Sequence, residues 1–363
     1  MRARIARSRS VSGVALAPVS TVEAGSEPLI GSPAMARLCY ALMRFCLMFE
    51  GQEGVTWQEW SAAATHAERL GFEGIFTSDH YLSVMGNRDR GSSDAWTNLA
   101  GLAAVTSTIR LGTLVSPVTF RLPAVLAKCA VTVDRISDGR VELGMGAGWW
   151  TEEHRTHGFP FPSDAERFDM LTEQLEIVHR LLTEDTVTFV GDHYRLEAVP
   201  FAPKGIQRPH PPIIVGGDGG PRLAALVSRW ADEFNTVGVG PGDARTRFER
   251  VRSHLDADGR EPSSLTTSLM TWCYVGETEA DALDRIHRAR ERAMRAERFE
   301  DELADLRATC IVGSAEQAAE RLLEYRDAGV QRIMLNHELF DDLEMLDVLA
   351  ERVFPLINEA PGT

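Results

Sequence analysis

The stretch IRLGTLVSPVTFRLPAVLAKCAVTVDRISDGRVELGMGAG (109–148) decides the fold. RLGTLVS (110–116) and RVELGMG (140–146) are short apolar-rich runs without strict alternation, as expected of strands covered on both faces. Between them Pro123 opens a helical segment to about Ile136, proline being favoured in a first turn. A strand, a helix and a strand in that order form a crossover unit whose strands lie parallel in one sheet.

The same alternation continues in both directions. Upstream lie a strand RFCLMF (44–49), a helix from Trp57 to Leu70 that stops at Gly71, a strand GIFTSD (74–79) and a helix from about Asp94 to Ser107. Downstream come a long helix over about 165–182, a strand PIIVGG (212–217), a helix Pro221–Trp230 and a strand DEFNTVG (232–238). Then follow a helix over about 243–256, a strand SLMTWCYVG (268–276) and a strongly charged helical region to about Arg307. A helix at 315–328, a strand VQRIMLN (330–336) and a last helix over about 342–356 complete the series. TVTFVGDHYRLEAV (186–199) breaks the rhythm, with alternating runs either side of Gly191-Asp192, and reads as an inserted β-hairpin. Eight units at steady spacing, with no composition break, predict a (β/α)8 TIM barrel carrying that hairpin and an extra helical segment. An open doubly wound sheet is the alternative.

Composition agrees with one such unit. The 363 residues are 44% apolar and 25% charged, an ordinary globular balance. The net charge of −15 argues against a nucleic-acid binder, which needs a basic face. No apolar run is long enough to span a membrane. Five widely spaced cysteines, Cys39, Cys46, Cys129, Cys273 and Cys310, contain no CxxC pair and suggest free thiols in a reducing cytoplasm. No histidine has trustworthy metal-ligand spacing, and a metal is not expected. Residues 1–40 open with four arginines in MRARIARSRS and lack clear periodicity. They are expected to be a disordered leader or an over-extended start, leaving 43–358 as the barrel domain.

In a barrel of this kind the chemistry sits at the C-terminal strand ends. The second strand ends in Ser78-Asp79-His80, and His80 is the natural proton donor or acceptor near neutrality. The third ends in Leu114-Val115-Ser116-Pro117. The fourth ends in GMGAG followed by Trp149 and Trp150. That glycine run fits a dinucleotide loop poorly, since Trp149 takes the place of the last glycine. It also resembles the first methyltransferase motif, though three βα units precede it. The remaining reading is backbone that must approach a flat ring closely, where a Cβ would clash. The fifth strand ends in Gly216-Gly217-Asp218-Gly219-Gly220, directly before a helix, an arrangement suited to an anion such as phosphate, with Arg222 at hand.

Together these strand ends resemble the luciferase-like monooxygenase family, in particular its branch using coenzyme F420, a 5-deazaflavin. The resemblance spans about 43–356 and rests on AERLGFEGIFTSDH (67–80), IRLGTLVSPVTFRLPAVLAK (109–128), DGRVELGMGAGWWTEEHRTHGFPFP (138–162) and PPIIVGGDGGPRLAALVSRWADEFN (211–235). It implies that His80 acts in proton transfer beside the deazaflavin and that Asp79 helps hold it. It implies a non-prolyl cis peptide at Leu114–Val115, continuing to Ser116, that bulges behind the ring. Ala147 and Gly148 would line the cofactor site, Glu152 would lie near the tail, and Gly216–Gly220 would hold the phosphate. Relatives that oxidise glucose 6-phosphate carry a glutamate where this chain has Trp149. An apolar or aromatic substrate surface made by Trp149 and Trp150 is therefore expected. The expected reaction moves a hydride between F420 and a small organic substrate, with an F420-reducing enzyme as supplier. Alternatives are an FMN-dependent, oxygen-using monooxygenase served by a flavin reductase, and a non-catalytic flavin-binding relative. A homodimer is implied by resemblance alone.

Overall fold

Local signals start and stop each element. In α1 (Trp57–Leu70) Thr56 Oγ1 accepts from the Glu59 amide at 3.2 Å while the Glu59 carboxylate accepts from the Thr56 amide at 2.7 Å. This reciprocal cap satisfies amides that the first turn leaves unpaired. Gly71 ends the helix in the left-handed conformation, φ 83°. The computed structural model describes residues 43–85, 89–294 and 299–359. The expected leader, residues 1–40, lies outside them.

The barrel strands are β1 (Arg44–Phe49), β2 (Gly74–Thr77), β3 (Arg110–Thr113), β5 (Val141–Gly146), β8 (Ile213–Gly216), β9 (Glu233–Val237), β10 (Thr266–Gly276) and β12 (Arg332–Asn336). Each pairs in parallel with the next, and β12 pairs with β1, so the sheet closes on itself as a TIM barrel. Around it lie α2 (Ala95–Val105), α3 (Pro123–Ile136), α5 (Asp164–Thr183), α6 (Pro221–Trp230), α7 (Pro241–Ala257) and α10 (Ala315–Asp327). A continuous apolar layer joins strands to helices, with Leu47, Leu143, Leu175, Val227 and Leu322 fully buried in it. The hairpin β6 (Thr186–Val190) and β7 (Arg195–Pro200) stands apart from the barrel sheet.

Four details differ from the sequence reading. The third strand, read as continuous over 110–116, breaks at Leu114–Val115, where the peptide bond is cis as the resemblance implied, and resumes as the two-residue β4 (Ser116–Pro117) against β5. A short helix α4 (Thr151–His157) follows the tryptophan pair. The charged region is two helices, α8 (Glu279–Ala293) and α9 (Phe299–Thr309), and then a strand β11 (Ile311–Ser314) pairs with the far end of β10. The C-terminal helix is α11 (Glu344–Val348), continuing through a wider turn at Leu349–Val353 to Glu359.

Inward positions recur every second residue, so the interior is layered. At the N-terminal end Arg332 is clamped by Glu142 Oε2 at 2.5 Å, Glu233 Oε2 at 2.9 Å and Glu73 Oε2 at 3.0 Å. Above it Cys46, Met48, Phe76, Leu114, Ile214, Met270 and Met334 fill the middle. The C-terminal end is left to a cavity.

Candidate active site

That cavity, about 690 Å³, opens at the C-terminal mouth and has the size of a small-molecule site. It is lined by His80 after β2, Leu114, Val115 and Pro117 after β3, and Gly146 through Trp150 after β5. Gly216, Gly217 and Asp218 follow from β8, with Asn235, Val237, Met270 and Trp272 from β9 and β10 and Glu50, Gln52 and Glu53 after β1.

One half of the mouth is nearly bare backbone. A Cβ on Gly146 would sit 2.6 Å from Val115 Cγ2, and one on Gly216 would sit 3.1 Å from Val115 Cγ1. Glycines at both strand tops therefore let the cis segment Leu114–Val115 swing across them. The result is a smooth wall of Val115, Ala147, Gly148 and peptide planes, fit for a planar ring.

His80 stands beside this wall. Its Nδ1 lies 2.8 Å from Glu153 Oε2, and Glu153 is fully buried. The same carboxylate accepts from the amides of Tyr81 and, at 3.2 Å, Leu82. Because a carboxylate only accepts, Nδ1 carries the proton and Nε2 is left for the cavity. Burial pulls the imidazole down, but the Glu153 hydrogen bond and charge, with Glu50 and Asp79, outweigh it and raise the group above its ordinary value. Trp149 and Trp150 stack on each other at 5.9 Å and meet the His80 ring edge-on, each at 5.9 Å. Trp150 is held from behind: its carbonyl accepts from His154 Nδ1 at 2.7 Å, and His154 Nε2 takes the Thr119 hydroxyl at 2.6 Å.

The expected site residues divide. His80, Leu114, Val115, Ala147, Gly148, Trp149, Trp150, Gly216, Gly217 and Asp218 face the cavity together. Asp79 and Ser116 sit behind the wall instead. Ser116 Oγ donates to Asp79 Oδ2 at 2.6 Å, and Arg121 Nη1 holds the same oxygen at 2.5 Å. Burial pushes the Asp79 carboxyl up despite Arg121 and Ser116, so this pair braces the wall from within. Glu152 turns outward to Arg155 at 2.9 Å, and its neighbour Glu153 points inward. Gly219 and Gly220 lie outside the lining: the Gly220 amide is taken by Asp218 Oδ1 at 3.1 Å. Arg222 turns away to Asp169 and the Ala165 carbonyl.

Sequence reasoning missed Glu50, Glu153, Asn235 and Trp272. Glu50, Asn235 and Trp272 follow from the strand-end rule once it is carried to strands one, six and seven. Glu153 depended on the register of α4, a helix too short to show periodicity.

Known proteins point the same way. A family profile for luciferase-like monooxygenases matches residues 42–332. An F420-dependent glucose-6-phosphate dehydrogenase of Intrasporangium calvum is 30% identical over 315 residues, covering 80% of this chain and 91% of that protein. Among solved structures, a monooxygenase of Streptomyces bottropensis superposes with a TM-score of 0.74 at 26% identity, covering 86% of this chain and 99% of its own. An F420-dependent secondary alcohol dehydrogenase, solved with an F420–acetone adduct, has the same fold, with a TM-score of 0.74 at 20% identity over 87% of this chain and 99% of its own. With its fold, its cavity and a profile match across most of its length, this chain belongs to the luciferase-like monooxygenase family.

Proposed function

We propose that this protein is an F420-dependent oxidoreductase that moves a hydride between the deazaflavin and a small, apolar or aromatic organic substrate. The observation that carries the reading is His80, locked by buried Glu153 beside a glycine wall shaped for a flat ring. Relatives named for F420 support the choice of cofactor.

Leu114, Val115, Ala147, Gly148, Gly216 and Gly217 would hold the ring system, with Asp218 at the edge of the same wall. When bound, the cofactor supplies a ring carbon that gives or takes a hydride. The chain supplies position and proton control. His80 presents Nε2 to the substrate and passes the proton that accompanies hydride transfer, while Glu153 fixes the tautomer and stabilises the imidazolium. Trp149, 61% exposed, and Trp150 line the entrance, where they would shield a bound substrate from water.

Glucose 6-phosphate is not the substrate this site favours. Among the described lining residues none is Lys or Arg, and Trp149 stands where the resemblance implies a glutamate in relatives that oxidise the sugar phosphate. The same wall would accept an isoalloxazine, which makes an FMN-dependent monooxygenase the second reading, consistent with the Streptomyces relative. Where the cofactor gives the hydride, turnover needs a reducing enzyme to recharge it, and where it takes the hydride, a second acceptor to discharge it; sedimentation would test the homodimer.

Equilibrium dialysis of the purified chain against F420 and FMN separates the readings. F420 retained at micromolar concentration, with FMN passing freely, supports the proposal. Preference for FMN transfers the site to oxygen chemistry, and retention of neither removes the cofactor assignment.

A further inference from the structure

The half of the mouth opposite the glycine wall has a different chemistry. It is built by β9, β10, β12 and β1, neighbours in the closed sheet, where Trp272 and Met48 both pair with Asn336. Glu50, two residues past Met48, and Trp272 therefore flank Asn336 on adjacent strand tops. Glu50 Oε1 accepts from Asn336 Nδ2 at 3.2 Å and Oε2 accepts from Gln52 Nε2 at 2.8 Å.

Both partners are neutral amides. They fix the plane of the carboxylate without neutralising it: among the described residues no Lys or Arg forms an ion pair with Glu50, and its charge acts on His80 across the cavity. The other carboxylates of the inner cavity wall are engaged. Glu53 pairs with Arg90 at 2.7 Å and accepts from the Val84 amide at 2.9 Å, and Glu153 serves His80. Two further acceptors in this half are unfilled. Asn235 Oδ1 and Asn336 Oδ1 are buried without a hydrogen-bond partner, on side chains with no solvent exposure. A donor-bearing ligand that reached Asn235 Oδ1, at the cavity wall, would recover the cost of leaving that atom unpaired.

A negative charge, the unfilled Asn235 acceptor at the cavity wall and the indole of Trp272 favour a cationic donor, while the unpartnered Trp272 Nε1 leaves room for an acceptor on the same ligand. We propose that this half of the cavity binds the protonated amine of a substrate whose remainder is apolar or aromatic, with Glu50 as the residue that sets the specificity. The ammonium supplies several donors and the charge that Glu50 lacks, and an aromatic face beside it adds cation–π attraction. A substrate phosphate or carboxylate would be repelled from the same wall. The inference deepens the oxidoreductase reading and rests on it for the amine being a substrate; the binding preference stands on this half of the mouth alone.

Isothermal titration of the full chain with benzylammonium, benzyl alcohol and benzyl phosphate, with and without F420, tests it. Benzylammonium is expected to bind at least tenfold more tightly than benzyl alcohol, with added salt weakening the amine alone, and benzyl phosphate is expected not to bind. Glu50→Gln should bring the amine down to the level of the alcohol. An alcohol or phosphate that binds as well as the amine, a preference unchanged by Glu50→Gln, or no binding by any probe overturns the proposal. If Glu50→Gln does not fold, the wild-type preference and its salt dependence decide. A chain that prefers the amine yet retains no F420 in dialysis removes only the cofactor reading. One that retains F420 but prefers phosphate removes only this inference.

Discussion

In the proposed reaction a single ring nitrogen, His80 Nε2, would carry the proton traffic. Glu153 holds His80 Nδ1 at 2.8 Å, so a proton passed to or from a substrate by His80 would have to use Nε2. His80→Gln should lower kcat about 100- to 10,000-fold, the usual contribution of a positioned acid–base group, while F420 affinity in dialysis changes less than threefold. Glu153→Gln keeps a hydrogen bond but removes the charge. It should lower kcat about tenfold and move the histidine inflection of the pH–rate profile to lower pH, with KM nearly unchanged. The linked stability has a definite sign. Because the folded imidazole titrates above its ordinary 6.5, its contribution is complete below pH 6.5 and is lost as pH rises through the folded value. His80 was legible in the sequence, because a histidine after a parallel strand is rare and informative. Glu153 was not, because choosing between adjacent glutamates requires the orientation of a seven-residue helix.

At the scale of elements, the strands and long helices were readable because burial imposes a period or a run of apolar residues, and caps such as Thr56 and Gly71 mark their ends. The break in the third strand left no period to read. It rests on glycines of neighbouring strands, Gly146 and Gly216, that leave room for Val115. β11 was missed because four residues between two helices carry too little pattern. The hairpin, by contrast, was visible, and its tip is held by a long-range contact. Glu173 on α5 accepts from the amides of Asp192 at 2.7 Å and Tyr194 at 3.0 Å and reaches that of His193. Glu173→Ala should free the tip at a local cost of about 1–3 kcal/mol. Limited proteolysis should then cut near Gly191 several-fold faster, with cofactor retention unchanged.

Across the whole molecule, the two ends of the barrel do opposite work. The N-terminal end is closed by Arg332 and its carboxylates, and the C-terminal end is open for ligands. Replacing Arg332 by Met would leave Glu233 buried without its cation and Glu142 with Arg110 alone, and should destabilise the fold by about 3–5 kcal/mol in urea titration. Burial pushes Glu142 up, but Arg332 and Arg110 pull it further down, so its folded value lies below the ordinary one. Its contribution is therefore present above the ordinary carboxylate range and is lost as pH falls through the folded value; Arg332→Met should remove that part of the acid sensitivity. The stacked pair at the rim has one more consequence. An imidazolium quenches excited indoles, and His80 touches both Trp149 and Trp150 edge-on. The protein should thus glow brighter as His80 loses its proton, a step in ultraviolet emission that His80→Gln abolishes, so the proton assigned to the proposed chemistry can be watched by light with nothing bound.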